Sequence, residues 1–390
     1  MTPFLFALPW LGILVFLLFV VRVPRELPSG DRADADRPFV SIIVPARNES
    51  INIENCLTSL TASTYPAFEV IVVDDRSEDG TADIARSVSH GYARDLRVVA
   101  GADLPEGWLG KPWACHQGAL VARGDLLLFT DADTTHGPPL LSRAVAGMDE
   151  EGADLLTIVG RQLMETFWER LVQPQIFLVM LFRFPNFEKS VRNKRWRDAI
   201  ANGQFLLYQR EAYDALGGHE AVRDQVVEDL ALAQITKREG RRLRMRSAEA
   251  DFATRMYRSL GELVAGWSKN LVLGGLQSVP APLRPIVAPA SLVAGVGLWL
   301  VPPFALLVAS LGWAGGLAGP VFLWSIAVCA VSALAFALFT SKMGAPAAYG
   351  LLYPLGAAVG TYIFLRSWIR GRNVEWKGRR YRVRPLSDRA

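Results

Sequence analysis

Apolar and polar positions divide the chain into stretches of different character. Residues 4–21 form an uncharged apolar run of 18 residues, closed by Arg22 and Arg25. As a helix, that length just spans a bilayer. The positive charges follow the apolar core instead of preceding it, and no small-residue cleavage site comes after, so the run reads as a retained anchor and not as a secretory signal. Arginines on this flank predict that it faces the cytoplasm.

Between residues 37 and 275 short apolar runs alternate with stretches of helical spacing. FVSIIVP (39–45), FEVIVVDD (68–75), LRVVA (96–100), DLLLFTD (125–131) and DLLTIVG (154–160) are continuous Val/Ile/Leu runs. Continuous runs are the pattern of parallel strands covered on both faces. Helical spacing over 50–60, 81–89 and 113–121 completes a series of βα units. Residues 165–184 are apolar but interrupted by Glu169, Arg170, Gln173 and Pro174. The pure run within them, 176–182, is too short to cross a bilayer, leaving an interfacial or a core helix.

The last third changes again. Residues 286–341 carry no charge, nor do residues 343–365, which leaves room for three or four membrane helices. Breaks are expected at Pro302-Pro303, 312–320 and 341–346. Residues 366–390 hold nine Lys/Arg against two acids, predicting a cytoplasmic end. A cytoplasmic domain and a cytoplasmic tail require an even number of crossings between them. Folding residues 286–309 as a short hairpin around Pro302-Pro303 restores that parity. The expected division is an N-terminal transmembrane anchor (1–25), an α/β domain (37–275), a C-terminal transmembrane region (284–368) and a basic cytoplasmic tail (369–390).

Composition sharpens this picture. With 51% hydrophobic and 21% charged residues among 390, the chain is no disordered protein and is too apolar for an ordinary soluble one. A formal charge of +4 implies no nucleic-acid partner. Cys56, Cys115 and Cys329 lie far apart without a CxxC pair, so a disulfide framework or zinc ribbon is not expected, and a reducing compartment fits.

Three strand ends carry candidate chemistry. VSIIVPARNE (40–49) puts Arg47, Asn48 and Glu49 at the carboxyl edge of a parallel strand, where open α/β sheets bind ligands. An ordinary βα turn with a solvated Arg and Glu has the same pattern. VIVVDDRSEDGT (70–81) places Asp74 and Asp75 where a carboxylate can hydrogen-bond a nucleobase or ribose, with 77–81 as turn and helix start; solvated loop acids would look alike. No GxGxxG follows the first strand, which disfavours a dinucleotide oxidoreductase. LLLFTDAD (126–133) is sharper. Asp131 and Asp133 bracket a small Ala132 directly after a buried strand, and two hard carboxylates so placed can share a divalent cation that also holds substrate phosphates. His136 is either a further ligand or a loop histidine without a catalytic role.

Together these motifs resemble the family 2 glycosyltransferases of GT-A fold, over about residues 39–275. The resemblance implies an α/β nucleotide-sugar-binding domain, a mostly parallel sheet flanked by helices, joined here to transmembrane helices. It implies that Arg47, Glu49, Asp74 and Asp75 line the nucleotide pocket, and that Asp131 and Asp133 hold a divalent metal (Mn or Mg) on the sugar-nucleotide diphosphate. GWLGKPWACHQG (107–118) looks like the family's lysine-containing segment, putting Lys111 near the nucleotide. VVEDL matches the family's acceptor-side acids: Asp229 is the implied base, with Glu228 orienting it, although a helix start rich in acids is the plain alternative. NGQF (202–205) resembles the acceptor-lining stretch. Processive members carry QxxRW; this chain has AGWSKN (265–270) instead, where Lys269 meets the diphosphate and Trp267 stacks on a sugar if the positions correspond.

The anchor, GKPWACHQG, TDADTTH and GWSKN resemble the branch that includes hopanoid-associated and carotenoid-type glycosyltransferases. The implied activity is inverting transfer of a hexose from a nucleotide-sugar donor such as a UDP-hexose to a lipid hydroxyl or carboxyl. The implied location is the inner (plasma) membrane, multi-pass, with the catalytic domain cytoplasmic. A processive polysaccharide synthase and an inactive nucleotide-sugar-binding scaffold are the alternatives. A transporter is disfavoured, because no intramembrane charge marks an ion path.

Overall fold

The computed structural model describes residues 7–29, 37–376 and 379–382. The start of the expected anchor (1–6) and the end of the basic tail (383–390) lie outside the described residues. The strands in chain order are β1 (Val40–Ala46), β2 (Phe68–Asp74), β3 (Leu96–Ala100), β4 (Leu126–Thr130), β5 (Thr134–His136), β6 (Leu155–Val159), β7 (Arg161–Gln162), β8 (Phe205–Gln209), β9 (Leu243–Ser247), β10 (Phe252–Thr254), β11 (Asn373–Trp376) and β12 (Arg379–Arg382).

Seven strands form the central sheet in the order β3-β2-β1-β4-β8-β6-β9. β1 pairs in parallel with β2 and β4, and both β1 and β2 are buried along nearly their whole length. Continuous apolar runs suit such strands because helices cover both faces. The Ile53–Thr61 and Leu140–Glu151 helices pack on one face through Leu57, Leu60, Leu141 and Ala144. The Gly110–Val121 and Glu228–Arg238 helices pack on the other through Cys115, Ala119, Ala231 and Leu232. LRVVA departs from expectation: β3 is an edge strand and stays half-exposed.

β8 runs antiparallel to both β4 and β6. Its register pairs Thr130 with Phe205. Residues 202–204, which enter β8, therefore stand beside residues 131–133, which leave β4. One reversed strand brings two distant motifs to the same sheet edge.

Among the described residues three helices are long and apolar enough to cross a membrane: Ala281–Ser310, Gly315–Lys342 and Ala347–Arg370. The hairpin expected at Pro302-Pro303 does not form. Leu300 keeps helical angles (φ −108°, ψ −33°), its N–H reaches the Val296 carbonyl at 2.9 Å, and Phe304 N–H reaches the Leu300 carbonyl at 3.2 Å. The prolines sit in the first turn after this bend, where a missing N–H costs little. Within the expected anchor the described residues form an apolar Leu8–Val20 helix. It packs through Trp10, Ile13 and Leu17 against Val328 and Phe336, and Trp10 Nε1 donates to the Leu298 carbonyl at 2.8 Å.

The Tyr353–Arg370 helix lies along the α/β domain. Ile363 packs with Leu171, Ile176 and Leu263, and Ser367 Oγ accepts the Val272 N–H at 3.1 Å. A Cβ at Gly356 would stand 2.9 Å from the Leu171 carbonyl oxygen, so the backbones meet closely there. Its partners are the Phe167–Arg183 and Leu260–Gln277 helices. The former opens with a Thr166–Glu169 capping box and buries one face while exposing Phe167, Val179 and Phe182 on the other.

Candidate active site

The first two motifs form one interlocked rim. Asn48 N–H donates to Ser77 Oγ (3.0 Å), Glu78 N–H to Asn48 Oδ1 (2.9 Å) and Glu49 N–H to Thr81 Oγ1 (2.8 Å). Arg47 is buried, and its Nη1 donates to the Asp75 and Arg76 carbonyls at 2.5 and 3.0 Å. Arg76 sits at φ +59°, a conformation that costs a side-chain-bearing residue on the order of 1 kcal/mol. Arg47 thus fastens a strained turn that presents Asp74 and Asp75. Each of these aspartates keeps a buried Oδ1 without a hydrogen-bond partner among the described residues.

At the end of β4, Asp131 forms an ion pair with Lys111 at 2.8 Å. Asp133 Oδ1 is buried and also without a partner among the described residues. Burial, reinforced by Asp131 and Glu49, pushes the Asp133 carboxyl up to about 8. His136 lies in β5, not in a loop. Its Nε2 is within 3.1 Å of Thr130 Oγ1 and 3.0 Å of Thr134 Oγ1, so it braces the strand end from the core. Burial drives its ring down to about 3, keeping it neutral.

Lys111, in the first turn of the Gly110–Val121 helix, also pairs with Glu228 at 2.8 Å. Burial opposes its charge, but Asp131 and Glu228 outweigh burial and hold the ammonium firmly protonated. Lys111 in turn overcomes burial at Glu228 and keeps that carboxyl below its usual range. Asp229 is held by backbone donors. Its Oδ2 accepts from Gly203 N–H (2.8 Å) and its Oδ1 from Leu230 N–H (2.7 Å). Burial first, and Glu228 second, lift Asp229 to about 6. The acidic pair opens the Glu228–Arg238 helix, as the plain reading held, yet it also stands against the carboxyl edge of β4.

Trp267 and Lys269 come from the Leu260–Gln277 helix. Trp267 packs against Phe177 and Tyr257, with centroids 5.8 and 6.0 Å apart. Lys269 is half-buried, and desolvation lowers it to about 8 despite the Glu228 charge. Residues 255–258 escaped the sequence reading. Arg255 N–H and Thr254 Oγ1 both donate to the Asp133 carbonyl, at 3.2 and 3.3 Å, while the Arg255 guanidinium is held by Glu169 at 3.0 Å. Arg258 Nη2 donates to Asn52 Oδ1 at 2.8 Å. RMYR after a three-residue strand reads as a plain loop, and only the β5–β10 pairing carries it to the aspartates.

Arg47, Glu49, Lys111, Asp131, Asp133, Glu228, Asp229, Trp267 and Lys269 line one cavity of about 1840 Å³, whose walls run on to Leu17, Phe182, Trp299 and Phe339, whereas Asp74, Asp75 and His136 are not part of its lining. The two aspartates after β4 suit a divalent cation, because a buried carboxylate oxygen is left open there. Among the described residues no cluster of three or more His, Cys, Asp or Glu side chains gathers to hold an ion. A cation at this place fits a site that takes its remaining ligands from a bound diphosphate.

A doubly covered α/β sheet with acids at three strand ends and a reversed strand beside them defines a nucleotide-sugar transferase fold. Residues 41–217 match the family described as Glycosyl transferase family 2. That segment is a family 2 glycosyltransferase domain of GT-A fold, as the motif resemblance implied. Over 360 residues it is 28% identical to 4,4'-diaponeurosporenoate glycosyltransferase of Staphylococcus aureus (strain USA300), covering 88% of each chain. Its fold is similar to that of mannosyltransferase PcManGT from Pyrobaculum calidifontis, solved in complex with GDP-Man and Mn²⁺. That likeness has a TM-score of 0.53 and 20% identity over 94% of both chains.

Proposed function

We propose that this enzyme transfers a hexose, with inversion, from a nucleotide-diphosphate donor such as a UDP-hexose to the hydroxyl or carboxyl of a membrane lipid. The observation that carries this reading is the cavity, which joins the acidic strand ends to apolar walls supplied by the Leu8–Val20 helix and the C-terminal helices. A polar glycan has no use for such walls, whereas an apolar acceptor can reach Asp229 without leaving them. The staphylococcal relative, named for diaponeurosporenoate, supports an acceptor of carotenoid type ending in a carboxylate. The processive alternative is weakened by AGWSKN in place of QxxRW. The scaffold alternative gives no reason to keep Asp131, Asp133 and Asp229 together.

In the proposed mechanism Arg47, Glu49, Asp74 and Asp75 shape the nucleotide end of the site. Asp131 and Asp133 would hold Mn²⁺ or Mg²⁺, which supplies positive charge against the leaving diphosphate, worth several kcal/mol. Lys111 and Lys269 offset the acids around the reacting centre. The acceptor oxygen attacks the anomeric carbon from the face opposite the diphosphate, and the sugar–phosphate C–O bond breaks with its electron pair left on the phosphate oxygen. For a hydroxyl acceptor the proton passes to Asp229, while Glu228, locked by Lys111, orients its neighbour. Trp267 lines the side of the cavity where the sugar would lie.

We further propose that Ala281–Ser310 and Gly315–Lys342 cross the inner membrane while Ala347–Arg370 lies along its cytoplasmic face. The reason is parity. Arg379 of the tail pairs with Asp75 of the catalytic domain, so tail and domain share one side. The positive flank at Arg22 and Arg25 makes that side cytoplasmic.

Membranes incubated with a panel of labelled sugar nucleotides, then extracted with organic solvent, test the proposal. Label is expected in the lipid extract with one donor. Label confined to a water-soluble polymer would establish the processive alternative instead.

A further inference from the structure

After the last long helix the chain does not trail away. β11 and β12 form an antiparallel pair with Trp376 opposite Arg379. β11 packs against the Leu260–Gln277 helix, which carries Trp267 and Lys269. From β12, Arg379 Nη1 reaches Asp75 Oδ2 at 2.6 Å, a contact between residues 304 apart in the chain. The Asp75 side chain is only 2% exposed beneath it. Tyr381 lies beside Gly110, the residue before Lys111. The tail strand pair therefore touches three elements that carry proposed donor-site residues: the β2 end, the Lys111 turn and the Trp267 helix.

Asp75 remains incompletely satisfied under this cover. Its Oδ1 is buried with no partner among the described residues, although a carboxylate has room for several donors. Burial lifts the carboxyl above its ordinary range, and the Arg379 guanidinium pulls it back toward ionisation. Holding a buried carboxylate charged and in one rotamer, with one oxygen still open, makes it an acceptor for an N–H group delivered by a ligand. A buried charge stripped of its partner becomes costly, so Arg379 matters to Asp75 more than a surface pair would.

Resting on the donor-site reading above, we propose that the C-terminal strand pair is a lid over the nucleobase of the donor. Arg379 is its positioning residue, holding Asp75 so that Oδ1 receives a nucleobase N–H. The donor class this fits is a uridine or guanosine diphosphate sugar, whose base edge carries an N–H between carbonyl or amino groups; adenine has no such imide-type N–H. The tail is then part of the active site and not only a membrane-proximal charge.

The test is titration of UDP and GDP into detergent-solubilised full-length protein with Mn²⁺ present, alongside donor KM and kcat. Arg379→Ala is expected to weaken binding of the preferred nucleotide about tenfold, the size expected for one charge-assisted hydrogen bond, and to raise donor KM more than it lowers kcat. Arg379→Lys should recover part of the loss. Adding Arg379→Ala to Asp75→Asn should cost little beyond Asp75→Asn alone, because one residue acts through the other. Tighter nucleotide binding by Arg379→Ala would mean that the arginine competes with the donor, and overturns the lid. Unchanged binding by Arg379→Ala while Asp75→Asn weakens it, or additive losses in the double variant, also overturns it. If Asp75→Asn itself binds both nucleotides normally, the donor-site assignment has failed and the lid falls with it.

Discussion

The N–H of Gly203 donates to Asp229 Oδ2 at 2.8 Å, and a side chain at 203 would strike that carboxylate. A Cβ there would stand 2.7 Å from Oδ2 and 3.0 Å from the Asp229 Cβ. The proposed base is thus set by a glycine that enters a reversed strand. Gly203→Ala should displace Asp229 and lower transfer about 10-fold or more, since misplacement by an ångström is costly in a positioned reaction. Nucleotide binding should stay near normal. Full transfer by a folded Gly203→Ala protein would separate this contact from catalysis.

Asp229 itself carries a prediction that depends on the acceptor. With a hydroxyl acceptor, Asp229→Asn should cost about 10²- to 10⁴-fold in rate, the usual contribution of a general base. With a carboxyl acceptor, already ionised near pH 7, the loss should be much smaller. Glu228→Gln should be milder than Asp229→Asn on a hydroxyl lipid. Assaying both variants on paired alcohol and acid acceptors distinguishes the two chemistries.

The same carboxyl sets an acid limit. Its raised value of about 6 means that the protonated form dominates below that pH and cannot take a proton. For a hydroxyl acceptor, kcat/KM should fall tenfold per unit as pH drops below about 6, and the limb should vanish in Asp229→Asn. A limb that persists in this variant assigns the titration to another group.

Metal dependence is the next expectation. Chelation with EDTA should abolish transfer, and Mn²⁺ or Mg²⁺ should restore it. Asp133→Asn should weaken nucleotide binding when metal is present and leave it unchanged without metal. Undiminished transfer in EDTA would remove the metal role from Asp131 and Asp133.

Topology can be read directly. Reporters placed after residue 25 and at residue 390 should both report the cytoplasm, and one inserted in the 311–317 turn should report the opposite side. An external C-terminal signal would mean that Ala347–Arg370 crosses the membrane, contrary to its packing on Leu171, Ile176 and Leu263.

The sequence alone determined the strands that carry the candidate site. VSIIVPARNE, VIVVDD and LLLFTDAD declare themselves because a strand buried on both faces must be apolar throughout, and its polar residues then cluster where the sheet ends. The long uncharged helices were legible for the same reason, since their lengths answer to the bilayer. What surrounds those strand ends was settled only in three dimensions. FLLYQ is as apolar as its neighbours, and nothing local sets its reversed direction; pairing Thr130 with Phe205 does, and so carries Gly203 to Asp229. Pro302-Pro303 looks like a break by local rules, but prolines in a helix's first turn lose no hydrogen bond, so the helix bends and continues. Lys111 between Asp131 and Glu228, and Arg379 on Asp75, join residues far apart in the chain. Such contacts depend on where whole elements dock, which the spacing of residues within one element does not encode.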